Sequence, residues 1–199
     1  MIDDQSVSLT GGDLRSLLAS ARDYLGPKGL VVVEVKLDGQ PLVGDELDSD
    51  TPTDFTQSDV RMYSAKPSSL VIGILEEVRE QLGIAGQMQE QAAELFQKDE
   101  PGDAMGLLRE SIDGWIQAQQ AVLSSSQLLD LDLALIKVDD QSVVTRMQEL
   151  IKSLMELKEL VGANDMVALA DALAYEWPEA TRRWDEAIGA VIKHIEAAC

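Results

Sequence analysis

The chain is poor in the residues that do most enzyme chemistry. Among 199 residues there is one cysteine, Cys199, and one histidine, His194. A single thiol cannot close an internal disulfide or build a cysteine-based zinc site, and one imidazole cannot supply a multi-histidine metal centre. Aromatic residues are also scarce, with three Trp, three Tyr and two Phe. Basic residues are outnumbered 16 to 36 by acidic ones, for a formal charge of -20. Such a field repels phosphate backbones and anionic headgroups, which argues against nucleic acid and bare membrane surfaces as partners. The start, MIDDQSVSLTGG, is acidic and polar and lacks the basic and apolar regions of a secretory signal. No apolar run approaches the roughly 18 residues of a membrane span. The expected location is therefore the cytoplasm.

What is present is apolar material in regular spacing. At 45% hydrophobic residues the chain can bury a core. Leu14, Leu17, Leu18, Ala21 and Leu25 recur at helical steps behind a capping Asp13. Val31, Val33, Val35 and Leu37 alternate as in a strand, and Asp38-Gly39 is a two-residue hairpin signal leading back through Leu42. Pro41 keeps the returning strand short or at an edge. An acidic loop runs from Asp45 to Asp59, and Val60–Ala65 reads as a third strand.

From Pro67 the pattern becomes helical. Leu70, Val71, Ile74, Leu75, Val78, Leu82, Ala85, Met88, Ala92, Leu95 and Phe96 predict one long helix up to the break at Asp99–Asp103. Met105, Leu108, Ile112, Trp115, Ile116, Gln119 and Leu123 predict a second apolar stripe, ending near Leu129. The segment LDLDLALIKVDD reads as a brief extended crossing. Val143, Met147, Leu150, Leu154, Leu157 and Val161 then follow a four-three spacing that suits either an internal core or a homodimer seam. Leu169, Leu173, Trp177, Trp184, Ile188, Val191 and Ile195 stay in phase across Pro178, predicting a kinked long helix or two consecutive ones. The expected architecture is α+β, mostly α: a small module with a β-hairpin over residues 1–66, followed by an antiparallel four-helix bundle over residues 67–199. One short internal echo stands out, Lys36-Leu-Asp-Gly-Gln-Pro-Leu-Val43 beside Lys137-Val-Asp-Asp-Gln-Ser-Val-Val144. Eight residues are too few for a repeat, and the simpler reading is two turns built from acidic, turn-favouring residues.

The candidates for chemistry are few. A di-metal carboxylate site in a bundle needs two Glu-x-x-His pairs, whereas Val191 stands three before His194 and no second histidine exists. Asp45, Glu46, Asp48, Asp50, Asp54 and Asp59 crowd one loop, and Asp48–Asp59 mimics a calcium-binding frame at its first, third and seventh positions. It departs from that frame with Pro52 at the fifth, Thr53 where glycine is required and Asp59 where glutamate is expected. The sequence contains no nucleophile elbow, phosphate loop, dinucleotide fingerprint or paired-histidine zinc motif. Glu176, Glu179, Asp185 and Glu186 read as a solvated helix face. No catalytic residue, metal ligand, cofactor or cofactor-binding residue is therefore expected.

Trp115, Trp177 and Trp184 lie on helical segments, where core packing is the first reading. They are also the candidate partner surface, with Trp177 placed beside the Pro178 kink. The charge divides as -6 over residues 1–66, six basic against twelve acidic, and -14 over residues 67–199, ten against twenty-four. A protein partner is thus expected to offer a basic or apolar face. The reading that follows is a non-catalytic cytosolic interaction, scaffold or adaptor protein, possible as a homodimer. In size, acidity and mixed helix-and-strand content the chain also resembles the small acidic chaperones of bacterial type III and flagellar export, a resemblance that implies binding of a client segment. A third alternative is a carboxylate-based metal-binding protein or enzyme.

Overall fold

A computed structural model describes residues 1–44, 47 and 58–198. It is 69% helical with a small antiparallel sheet, an α+β fold that is mostly α. The chain divides into two compact units, Met1–Leu70 and Val71–Cys199.

In the first unit, α1 (Leu14–Leu25) starts on Asp13, whose carboxylate accepts the Ser16 N–H at 2.7 Å while the Ser16 hydroxyl accepts the Asp13 N–H. That reciprocal capping box satisfies amides a helix start leaves open. The hydrogen bonds to Ser16, led by the one from its backbone, hold the Asp13 carboxyl below its ordinary range. Strands β1 (Val31–Leu37), β2 (Gln40–Pro41) and β3 (Val60–Ala65) form an antiparallel sheet in the order β2-β1-β3. Asp38 and Gly39 take positive φ, 51° and 84°, as a primed two-residue turn requires. β2 pairs only at Lys36↔Pro41 and Leu37↔Gln40, consistent with a proline that cannot donate to a ladder. Ile2, Leu14, Ala21, Leu25, Val35 and Met62 make this unit's core.

The second unit holds α2 (Pro67–Gln97, continuing from the first), α3 (Pro101–Leu128), α4 (Val143–Gly162), α5 (Met166–Asp171) and α6 (Trp177–Ala198). Residues 67–97 are one helix, as the long apolar stripe predicts. Its core seam, however, runs Val71, Leu75, Val78, Leu82, Ala85, Gln89, Ala92, Phe96, in steps of four and three throughout. Gln89 is 1% exposed, whereas Ile74 is 51% exposed and Met88 only half-buried. A sequence reading places the apolar neighbour inward; the regular 3.5-residue seam places Gln89 there instead.

The correction on α3 is larger. Its buried positions are Ala104, Leu108, Ser111, Trp115, Ala118, Val122, Ser125 and Ser126. Small residues fill most of this seam, and at one point α3 comes close to α2: a Cβ on Gly114 would stand 3.3 Å from the Ala85 Cβ. The stripe of Met105, Ile112, Ile116 and Leu123 is rotated to the side, with Ile116 and Leu123 exposed.

Between α3 and α4 the expected extended crossing is a second miniature hairpin, β4 (Lys137–Val138) and β5 (Gln141–Ser142). Asp139 and Asp140 take φ of 49° and 65°. Its pairs, Lys137↔Ser142 and Val138↔Gln141, repeat the register of β1 and β2. The next bond repeats as well: Val143 N–H donates to the Ile136 carbonyl at 3.0 Å, and Leu42 N–H to the Val35 carbonyl at 2.9 Å. The eight-residue echo therefore encodes the same hairpin twice.

α5 does not stop before Pro178. A π turn, Ala172–Glu176, joins it to α6, and the Trp177 N–H donates to the Ala172 carbonyl five residues back. Pro178 cannot donate and would crowd the carbonyl four residues earlier, which a wide turn relieves. It also brings Leu169, Leu173 and Trp177 inward together; two successive four-residue steps on a regular helix would drift by about 40° each.

Candidate functional site

The rotated face of α3 meets α4 in an apolar groove. Met105, Leu108, Ile112, Ile116, Leu154, Leu157 and Val161 line a cavity of about 670 Å³, with Arg109, Asp113 and Lys158 at its rim. Polar atoms contribute little of its surface. Val143, Met147, Leu150 and Leu157 of the α4 seam are buried in the bundle's own core, while Val144, Ile151 and Met155 beside them are exposed. Leu154, Leu157 and Val161 of the same seam line the groove, and Val144, Ile151 and Met155 form a parallel apolar stripe on the exposed side.

The other side of α4 forms a different cleft, of about 330 Å³, with the π turn and the start of α6. Arg146, Glu149, Tyr175, Glu176, Glu179, Arg183 and Trp184 line it. Arg146 is the notable member, only 9% exposed. Its Nη1 donates to Glu149 Oε2 at 3.2 Å, and its buried Nε has no partner among the described residues. Glu179 accepts from Arg182 Nη2 at 2.7 Å and from Arg183 Nε at 2.8 Å. Hydrogen bonds from Arg182 and then Arg183 pull its carboxyl down from 4.5 to about 2. Arg182 also bonds Glu186. Farther along α6, Asp185 takes both Arg79 Nε and Arg79 Nη2 at 2.7 Å, tying α6 to α2 and raising the Arg79 guanidinium above its ordinary value.

The three tryptophans do not form a surface. Trp115, Trp177 and Trp184 are 0%, 2% and 3% exposed. The expected partner surface at these residues is corrected: the π turn keeps Trp177 in phase with the core, so the kink does not push it out. Trp115 and Trp177 meet in the core, and Gln89 of α2 is buried as well, its Nε2 and Oε1 both lacking partners among the described residues. On the face read as solvated, Glu176 is exposed, and Glu179, Asp185 and Glu186 stay partly exposed while pairing with the arginines of the same helix and with Arg79.

His194 is exposed. Asp59 of the acidic loop is engaged locally, its Oδ2 accepting from Arg61 Nε at 2.7 Å and its N–H donating to Asp38 Oδ1 at 2.8 Å. Asp45, Glu46, Asp48, Asp50, Asp54 and Cys199 lie outside the described residues. Among the described residues no group of three or more His, Cys, Asp or Glu is arranged to hold a metal ion. No helix among them is long and apolar enough to cross a membrane.

Sequence reasoning missed Arg146 and the groove. Arg146 sits one turn into α4, beside the seam residue Met147, and could have been noticed as a basic residue at a helix start, where acids are preferred. The groove carried no such signal, because the large apolar residues of α3 looked like its core.

Residues 73–187 match the family model of DUF8042, a domain of unknown function. The chain belongs to the DUF8042 family. The matched stretch runs from the second turn of α2 into α6, so it contains both the α3/α4 groove and the Arg146 cleft and leaves out the hairpin unit. No curated protein and no solved structure matches the chain.

Proposed function

We propose that this is a non-catalytic protein-interaction protein whose α3/α4 groove receives the apolar face of a partner's helix. The observation that supports it is the groove itself: Ile112, Ile116, Leu154 and Val161 present side chains at helical spacing along a concave, largely apolar channel. Helix-in-groove recognition uses such a channel, taking anchors spaced three or four residues apart from the incoming helix. Exposed apolar surface of this kind is costly to keep in water unless something covers it. Arg109 and Lys158 at the rim make no ion pair among the described residues, in a chain where acids outnumber bases more than two to one. Those two charges favour a helix with acidic residues flanking its apolar face. The client segment of a secretion-type chaperone would dock in the same way.

The test is photocrosslinking in native cells from a reactive residue at position 116, with position 90 on the exposed side of α2 as the control. A discrete protein captured from 116 alone, and lost with Ile112→Asp in a variant that melts like the parent, supports the reading. Capture of a second copy of this chain would make it a homodimer. Equal yields from 116 and 90 would sink the proposal.

A further inference from the structure

The cleft on the other side of α4 has the makings of a second, chemically different site. Arg146 lies in the first turn of α4, where Ser142 caps the helix and the partial charge of the helix end is positive. A cation there is disfavoured by the dipole, and its 9% exposure adds the cost of desolvation. Both penalties call for more anion than the structure provides. The one hydrogen bond of the guanidinium, Nη1 to Glu149 at 3.2 Å, is long for a charged pair, and Glu149 is itself 43% exposed along its side chain. The Nε is buried without an acceptor. Trp184, on the facing wall of the same cleft, has its indole Nε1 in the same condition. Both residues line the same cavity from two helices, and each holds a buried donor-only nitrogen without a partner among the described residues.

We propose that the cleft between α4 and the π turn is a binding site for a carboxylate, held by the Nε edge of Arg146 and by the Trp184 indole N–H. The guanidinium edge opposite Glu149 matches a planar carboxylate in a two-bond fork. The surroundings select against a more highly charged anion such as phosphate, because Glu149, Glu176 and Glu179 stand on the walls. Glu179 does not compete for Arg146, being held by Arg182 and Arg183. The volume of about 330 Å³ suits a small acid or one acidic side chain of a peptide. The cavity abuts the π turn, so the widened backbone that accommodates Pro178 also shapes one wall of the site.

The indole N–H resonances report this directly. The full chain, labelled with ¹⁵N, is titrated in one arm with sodium benzoate and in the other with acetyl-Ala-Glu-Ala-amide. The Trp184 resonance is expected to shift and saturate, with Trp115 and Trp177 as internal references. A response to benzoate alone assigns the site to free small acids, and a response to the tripeptide assigns it to peptide-borne carboxylate. Arg146→Met should weaken binding at least tenfold, and Arg146→Lys, which keeps the charge without the fork, should weaken it less. If Arg146→Met fails to fold, the lysine variant and the wild-type titration carry the test. A Trp184 resonance unmoved by both probes, or a binding curve unchanged by Arg146→Lys and Arg146→Met, overturns the proposal and leaves Arg146 as the ion-pair partner of Glu149 only.

Discussion

The indole of Trp115 meets that of Trp177 edge to face, ring centroids 5.1 Å apart and planes at 80°. The pair joins α3 to the junction of the π turn and α6 at the centre of the bundle, so the widest side chain of the small-residue seam on α3 is matched by the residue at the helix irregularity. Edge-to-face pairs add to the burial of the rings themselves. Trp177→Ala should therefore destabilise the protein by about 3–5 kcal/mol, the range for emptying a buried aromatic position. Urea unfolding followed by far-UV circular dichroism measures it, and a loss under about 1 kcal/mol would contradict the central placement of this ring.

Gln89 makes the opposite prediction. It occupies a buried position of the α2 seam with both side-chain polar atoms unpartnered among the described residues. An unsatisfied buried amide costs about 1–3 kcal/mol, and leucine has a similar shape. Gln89→Leu should raise the urea midpoint with the slope unchanged. A lowered midpoint would show that the amide is satisfied in solution, as by a bound water.

The buried small-residue seam of α3 can be tested by overfilling it. Ala118 is 2% exposed on the small-residue seam. Ala118→Leu should cost about 1–3 kcal/mol, as overpacking does. By contrast, Ile116→Ser, two residues away but facing the groove, should change stability by about 0.5 kcal/mol or less. Equal losses in the two variants would mean that the stripe of α3 facing the groove is core after all.

Acid should act on the α6 ion-pair lattice over a defined window. The Glu179 carboxyl is lowered from 4.5 to about 2 by its bonds to Arg182 and Arg183. A depressed folded-state value means that the stabilisation is complete above pH 4.5 and is lost as pH falls toward about 2. The carboxyl carbon shift of Glu179 should titrate with a midpoint near the lower end of that window, and Arg182→Gln should move the midpoint upward. A wild-type midpoint at the ordinary glutamate value would show that the lattice does not persist in solution.

The second hairpin offers a small gain. Asp140 takes φ of 65° where the first hairpin has Gly39 at 84°. Asp140→Gly should stabilise by up to about 1 kcal/mol, because a side chain in the left-handed region is strained. Thermal unfolding reads the change, and a lower midpoint would indicate that the Asp140 side chain has a role the backbone strain conceals.

The local elements whose signals are covalent or short in range are legible in the chain alone. Asp38-Gly39 dictated a hairpin because only certain residues accept consecutive positive φ, and the eight-residue echo wrote the same turn twice. Pro67 opened one long helix, and the stripe Leu169, Leu173, Trp177, Trp184, Ile188, Val191 and Ile195, which crosses α5, the π turn and α6, is buried at every position as its spacing predicts. Tertiary structure decided which helical face turns inward. On α3 the large apolar residues and the small ones each form a stripe at helical period, and periodicity alone favours the larger. The buried stripe is the small one, Ala104, Ser111, Ala118 and Ser125, and Ile116 is left exposed, an outcome that depends on the neighbouring helices and not on the period of α3. With Ile112 and Ile116 turned aside, α3 and α4 form the groove. The burial of Arg146 was decided in the same way, since it depends on where the π turn sets α6 against α4, a distance no single helix contains.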